Sequence, residues 1–219
     1  MVNSKTLNMD TLEYIVEKFN VDLTKGPHIH LDCDRNVALT DLLQDLGFKT
    51  GVEVGVLEGE YSEVLCKTNP EMKIFSVDAW LFYPVYKNFR KQWQYDRVYK
   101  TAVERLSVYS NNQIIKKKSV EAAEDFEDES IDFVYIDADH SFPAITSDIA
   151  TWSKKVRKGG LIIGHDYGDS PNKQFCHVKT VVNAWTSAYG IAPLFILDCA
   201  PSSRFPIKYP DKSWMWVKQ

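Results

Sequence analysis

The chain has 219 residues, 44% of them hydrophobic and 26% charged, with a formal net charge of -4. That is the make-up of a soluble globular protein with one sizeable core, and a charge so near neutral excludes bulk electrostatic attraction to nucleic acid. No apolar run approaches the ~20 residues of a membrane span and no apolar signal core opens the chain. Four scattered cysteines (Cys33, Cys66, Cys176 and Cys199) without a C-x-x-C pair fit reduced thiols, so a cytoplasmic protein is expected, without a membrane or nucleic-acid partner.

The periodicity predicts a helix over residues 9–20, with Leu12, Ile15, Val16 and Phe19 on one stripe and Asp10 as N-cap. A loop with Gly26, Pro27, His28 and His30 follows, then a helix over Val37–Leu46 that stops at Gly47. Residues 1–47 thus read as an N-terminal helical cap ahead of a domain over 48–219. Within that domain strands and helices alternate. Strands are predicted at Gly51–Val54, Lys73–Val77, Gln113–Lys117, Ile131–Ile136 and Gly159–Gly164, with helices at Glu60–Lys67, 97–109, Val120–Phe126, Phe142–Val156 and Val178–Tyr189. Two further strands, Pro193–Leu197 and Ser213–Val217, are separated only by the Pro/Ser-rich stretch Pro201–Pro210. Without a crossover helix they must pair antiparallel. The expected fold is α/β: a mostly parallel seven-stranded sheet with an antiparallel last strand and helices on both faces.

The stretch Thr50–Ser62, T-G-V-E-V-G-V-L-E-G-E-Y-S, reads as strand, glycine turn and helix start. Such a turn makes a small-molecule pocket at the carboxyl edge of a parallel sheet. It departs from the dinucleotide fingerprint G-x-G-x-x-G, because Leu57 stands where the second glycine belongs. Asp78 ends the next strand, 23 residues beyond Gly55, where an acid can accept hydrogen bonds from both hydroxyls of a ribose. The other strand ends are equally polar: Lys118 and Ser119, Asp137 to His140, and His165 with Asp166.

The run E-V-G-V-L-E-G-E-Y-S resembles motif I of class I S-adenosylmethionine-dependent methyltransferases. The later runs I-D-A-D-H-S-F and G-G-L-I-I-G-H-D-Y resemble the small-molecule O-methyltransferase branch of that class, with Phe142 in place of a usual Tyr. The resemblance spans about residues 48–190 and implies a Rossmann-like methyltransferase fold. It also implies S-adenosylmethionine as cofactor. Gly55 and Gly59 would face its methionine part, Glu53 and Ser62 would order the turn, and Asp78 would hold the ribose. Ala79 would lie beside the adenine, Ser119 and Val120 would meet the adenine edge, and Asp137 would lie near the ammonium, the acceptor or a metal.

Methyl transfer from a sulfonium needs an aligned nucleophile and, for a hydroxyl acceptor, a base. His140 and His165, both at strand ends beside carboxylates, are the candidates for the proton step, with Asp137 beside them. His177 could approach from the last helix. The carboxylates Asp137, Asp139 and Asp166 with His165 form a candidate set for Mg or a similar divalent ion. Related catechol-type enzymes pair Asp with Asn at the second position, whereas here the pair is Asp166–Tyr167, leaving His165 as the substitute. The aromatic stretch Trp80–Tyr99, with Lys87, Arg90, Lys91 and Arg97, reads as a lid over the acceptor at about 80–97, or else as a packed helix or oligomer contact. The leading expectation is an S-adenosylmethionine-dependent O-methyltransferase acting on a small molecule. Its rivals are a nicotinamide-dependent oxidoreductase and a non-catalytic adenosine-binding module.

Overall fold

The computed structural model describes residues 10–82, 91–168, 176–198 and 212–219. Lys87, Arg90, Cys199 and the stretch Pro201–Pro210 lie outside them. The chain opens with α1 (Thr11–Lys18), β1 (His28–Asp32) and α2 (Thr40–Asp45). Strands and helices then alternate: β2 (Thr50–Val54), α3 (Glu60–Thr68), β3 (Lys73–Asp78), α4 (Gln92–Leu106), β4 (Asn112–Lys116), α5 (Ser119–Ala123), β5 (Ile131–Ile136), α6 (Phe142–Lys155) and β6 (Val156–Gly164). The last three elements are α7 (Val178–Ala188), β7 (Leu194–Asp198) and β8 (Ser213–Val217).

All eight strands form one sheet in the order β1-β7-β8-β6-β5-β2-β3-β4. Every neighbouring pair is parallel except those of β8, which runs antiparallel to both β6 and β7. The expected sheet with its reversed final strand is therefore present, and β1 adds an eighth strand at the edge. The sequence reads His28 and His30 as loop because only Ile29 and Leu31 alternate there, too few for a period. Both are buried, and the strand is secured by its parallel pairing with β7. The segment before residue 48 thus supplies a sheet edge as well as helices.

Helix boundaries shift for local reasons. Asp10 caps α1 as expected, its carboxylate accepting from the Glu13 N–H at 2.8 Å. The helix expected over Val37–Leu46 begins instead as a π-helical turn, Arg35–Leu39, which Asp34 caps through the Asn36 N–H at 2.7 Å. α4 starts earlier than expected, at Gln92.

Side chains alternate between two cores, one on each sheet face. One face buries Val52, Val134, Ile136 and Ile162 against Ile149 and Trp152 of α6 and Val181 and Val182 of α7. The other buries Phe133, Tyr135, Leu161 and Ile163 against Ile15 of α1, Leu42 and Leu43 of α2, and Leu65 of α3. A third cluster wraps Val56 and Trp80 with Tyr95, Val98, Ala102 and Leu106 of α4, so part of the aromatic stretch is core.

Packing across β2 and β5 leaves no room for one methyl group. A Cβ at Gly51 would lie 2.0 Å from the ring of Phe133, its register partner. Gly51→Ala should therefore cost about 1–3 kcal/mol through overpacking. The check is the guanidinium unfolding midpoint, and adding Phe133→Val should recover part of the loss. An unchanged midpoint in the single variant would contradict this packing.

Candidate active site

The glycine turn is built by contact with the neighbouring strand. The ladder continues past the strand ends, with the Gly55 N–H donating to the Val77 carbonyl at 2.9 Å and the Asp137 N–H to the Val54 carbonyl at 2.8 Å. Gly55 has φ of +93°, and a Cβ there would sit 2.0 Å from the Asp137 carbonyl oxygen. Glycine is required by both the conformation and the approach of β5. Gly59, at φ +79°, forms the left-handed entry to α3. Leu57, between them, also has positive φ and is half exposed.

Asp78 ties this turn to β3. One carboxylate oxygen accepts from the N–H groups of Val56 and Leu57 at 2.9 and 3.0 Å, and the other from Trp80 at 2.8 Å. A carboxylate has about four lone-pair sites, so capacity remains for a ligand hydroxyl. Burial pushes its pKa above the ordinary carboxylate value, against those backbone bonds. Trp80 locks the other side, its indole N–H donating to the Leu57 carbonyl at 2.9 Å and its ring packing on Tyr99 at 4.8 Å. Ala79 is half-buried beside it.

Beneath the turn lies a buried polar chain. The Ser62 hydroxyl donates to the Glu53 carboxyl and lies 2.6 Å from the Ser76 hydroxyl, which accepts from the Asn112 amide at 2.7 Å. Ser62 therefore serves Glu53 and makes no capping bond to α3. Glu53 is 2% exposed, and its burial, opposed by the Ser62 bond, pushes its pKa up to about 8.

Across β5 and β6 the structure gathers Asp137, His140, His165 and Asp166. His140 Nε2 lies 3.0 Å from Asp166 Oδ2 and 3.5 Å from Asp137 Oδ1. His165 Nδ1 lies 3.4 Å from Asp166 Oδ2 and 3.6 Å from Asp137 Oδ2. Burial alone would lower the His140 pKa, but the hydrogen bonds and charges of the two carboxylates push it up to about 11. Asp166 is held well below the usual carboxylate range; burial opposes this, and the bonds to His140 and His165 prevail.

Asp137, His140 and Asp166 each offer a ligand atom, all within 4.8 Å of one another, so His140 stands in the metal-capable set where the sequence put His165. Asp139 is exposed and accepts from the Ser141 N–H at 2.9 Å, which turns it toward the start of α6 and out of this set. Tyr167 is buried and donates to Asn183 at 2.6 Å, which fixes it to α7. His177 supports the cluster from outside, its N–H donating to the His140 carbonyl at 2.8 Å.

On the β4 side, the Ser119 hydroxyl bonds the buried Asp148 at 2.5 Å and accepts from the Trp152 indole at 2.9 Å. Only the backbone of Ser119 and the exposed Val120 remain to meet a ligand. At the mouth, Leu57, Leu81, Phe82 and Trp93 present exposed apolar surface. Sequence reasoning missed Arg35, which enters from the N-terminal segment and donates to the Tyr135 hydroxyl at 2.6 Å. Its only signal was a single cation among Asp32, Asp34 and the loop that follows.

Glu53 gives a test of this electrostatic account. Its folded value near 8 lies above the ordinary 4.5 expected of the unfolded chain. Between those pH values the folded chain retains a proton that the unfolded chain has released, so stability falls as pH rises through the window. Glu53→Gln removes that titration. Unfolding at pH 5, 6.5 and 8 should show the parent losing on the order of a few kcal/mol relative to the variant. Parallel curves would show that Glu53 is ionised in the fold.

Known proteins share this fold. A family model described as a methyltransferase domain matches residues 52–167, from β2 through the Asp166 turn. An uncharacterised protein of Acanthamoeba polyphaga mimivirus is 25% identical over 179 residues, covering 80% of this chain and 77% of its own. Among solved structures, an O-methyltransferase from Bacillus cereus in complex with SAH aligns over 98% of this chain and 94% of its own, with a TM-score of 0.58 and 17% identity. The O-methyltransferase TomG from Streptomyces achromogenes, in complex with SAM and involved in tomaymycin synthesis, aligns over 84% and 80% with a TM-score of 0.60 and 14% identity. The nicotinamide reading finds no support in these matches, which agrees with Leu57 in the turn. Because the matched family covers the glycine turn, Asp78 and the His–Asp cluster together, the chain belongs to the methyltransferase-domain family and is a methyltransferase.

Proposed function

We propose that the pocket over the carboxyl ends of β2, β3 and β5 binds S-adenosylmethionine, and that the enzyme transfers its methyl group to a hydroxyl of a small-molecule acceptor. The observation that carries this reading is the juxtaposition of the glycine turn with the Asp137–His140–His165–Asp166 cluster, held together by the Gly55–Asp137 contact. The O-methyltransferase neighbours that carry SAM or SAH support it.

In this reading Asp78 accepts the ribose hydroxyls with its remaining lone pairs, beside Ala79, and the backbone at Ser119 and Val120 meets the adenine. Gly55, Gly59, Glu53, Ser62 and Asp137 surround the methionine part. His140 and His165 flank the acceptor hydroxyl, with Asp137 and Asp166 orienting both rings; the proton step falls to His165, because the two carboxylates keep His140 protonated. The segment before residue 48 closes the methionine side, and the exposed Leu81, Phe82 and Trp93 border the acceptor; the rest of the lid expected at about 80–97 lies partly outside the described residues.

The donor set of Asp137, Asp166 and an imidazole fits a hard divalent ion such as Mg. Such an ion, when bound, supplies positive charge that acidifies an acceptor hydroxyl. The same two carboxylates otherwise keep His140 protonated, and a protonated imidazole cannot accept a proton.

Calorimetry with S-adenosylhomocysteine and NAD tests the cofactor: the first should bind and the second should not, and binding of NAD alone would overturn the reading. Transfer of labelled methyl from S-adenosylmethionine to a panel of hydroxylated small molecules tests the chemistry. His165→Ala should lower turnover by about 10²–10⁴-fold with S-adenosylhomocysteine affinity nearly unchanged. Full activity after EDTA dialysis would remove the metal from this account.

A further inference from the structure

We propose that Arg35 and Tyr61 form a carboxylate subsite for the amino-acid end of the cofactor, an assignment that rests on the S-adenosylmethionine reading above. Arg35 opens the π-helical turn after β1, and its side chain reaches two tyrosines that touch each other. Its guanidinium donates to the Tyr135 hydroxyl at 2.6 Å and stands 5.1 Å over the ring of Tyr61. The two tyrosine rings are themselves 4.4 Å apart. Among the described residues, no acid forms an ion pair with this guanidinium, whose fork carries five N–H donors.

Tyr61 supplies the second observation. It is 8% exposed, and its hydroxyl has no hydrogen-bond partner among the described residues. Leaving a buried hydroxyl unpaired is destabilising, which a ligand acceptor at that position would relieve. Tyr61 lies in the first turn of α3, immediately beyond the glycine turn, so a ligand oxygen arriving there meets the phenol and the guanidinium together.

The surrounding charges select the kind of ligand. Tyr135 pairs in register with Glu53, and Asp137 follows two residues along the same face. The Asp137 charge acts on Arg35, and Arg35 in turn draws the Glu53 pKa downward against its burial. An acceptor carboxylate or phosphate would gain Arg35 but meet two acids. An α-amino acid presents an ammonium and a carboxylate one carbon apart, which suits acids and guanidinium at once. Arginine also binds carboxylates through paired, charge-assisted bonds.

The test compares S-adenosylhomocysteine with 5′-methylthioadenosine, which keeps the nucleoside and lacks the amino-acid end. Both are titrated calorimetrically, without acceptor, into the parent, Arg35→Met, Arg35→Lys and Tyr61→Phe. Arg35→Met should weaken S-adenosylhomocysteine by about 10–100-fold and leave 5′-methylthioadenosine unchanged, with Arg35→Lys recovering part of the loss. Tyr61→Phe, which keeps the packing, should weaken S-adenosylhomocysteine alone by about 3–10-fold. Equal weakening of both nucleosides would make Arg35 a support of the fold and overturn the subsite. Unchanged S-adenosylhomocysteine affinity, including the case where only the acceptor KM rises, would overturn it too. In either case the cofactor reading stands, whereas a parent that binds neither nucleoside overturns both.

Discussion

The site depends on one contact, the approach of the Asp137 carbonyl to the backbone of Gly55, where no side chain fits. That contact clamps the end of β5 against the turn after β2. Two groups are thereby fixed relative to each other: the glycine turn and the cluster of Asp137, His140, His165 and Asp166, which in the proposed reaction serve the cofactor and the acceptor. Asp78 fastens the same turn from the opposite side through three backbone N–H groups. Methyl transfer in line tolerates little misplacement between donor and nucleophile, so rigidity here serves the chemistry directly.

The two ends of the pocket solve the problem of buried charge differently. At the histidine end, Asp166 and His140 neutralise each other as an ion pair. At the turn, Glu53 is hydrogen-bonded to the Ser62 hydroxyl, and its burial favours the protonated carboxyl near neutral pH. A cationic ligand next to Glu53 would favour release of that proton, so arrival of charge in the pocket is matched by departure of charge from the protein. The cost of holding several acids in one cleft is kept down because few of them are ionised without a partner.

Much of this was legible in the chain itself, because polar residues at the ends of apolar strands mark the carboxyl edge of a parallel sheet. Glu53, Asp78, Asp137, His140, His165 and Asp166 were all placed by that rule, and the reversed β8 followed from the missing crossover helix. What escaped depends on distant partners. Arg35 contacts Tyr61 and Tyr135, and nothing near it in sequence announces either. Gly55 invited a ligand-based explanation, whereas its neighbour is Asp137. Ser62 sits where a helix-start residue would, but the buried Glu53 takes its hydroxyl. Asp139 belongs to an acidic run, and a single bond to the Ser141 N–H turns it aside.

The edge strand β1 carries a further implication, one of timing. His28 pairs with Leu194 and Asp32 with Asp198, so the beginning of the chain finds its place only beside one of its last strands. Contacts of such long sequence separation form late, after shorter loops have closed. During synthesis the central β2–β5 unit can therefore assemble while the amino-terminal segment is still waiting for β7. The turn that follows β1 brings Arg35 to Tyr61 and Tyr135. A chain in which β7 has not yet formed would thus hold its glycine turn and its histidines without Arg35 beside Tyr61 and Tyr135, which ties that contact to the pairing of β1 with β7.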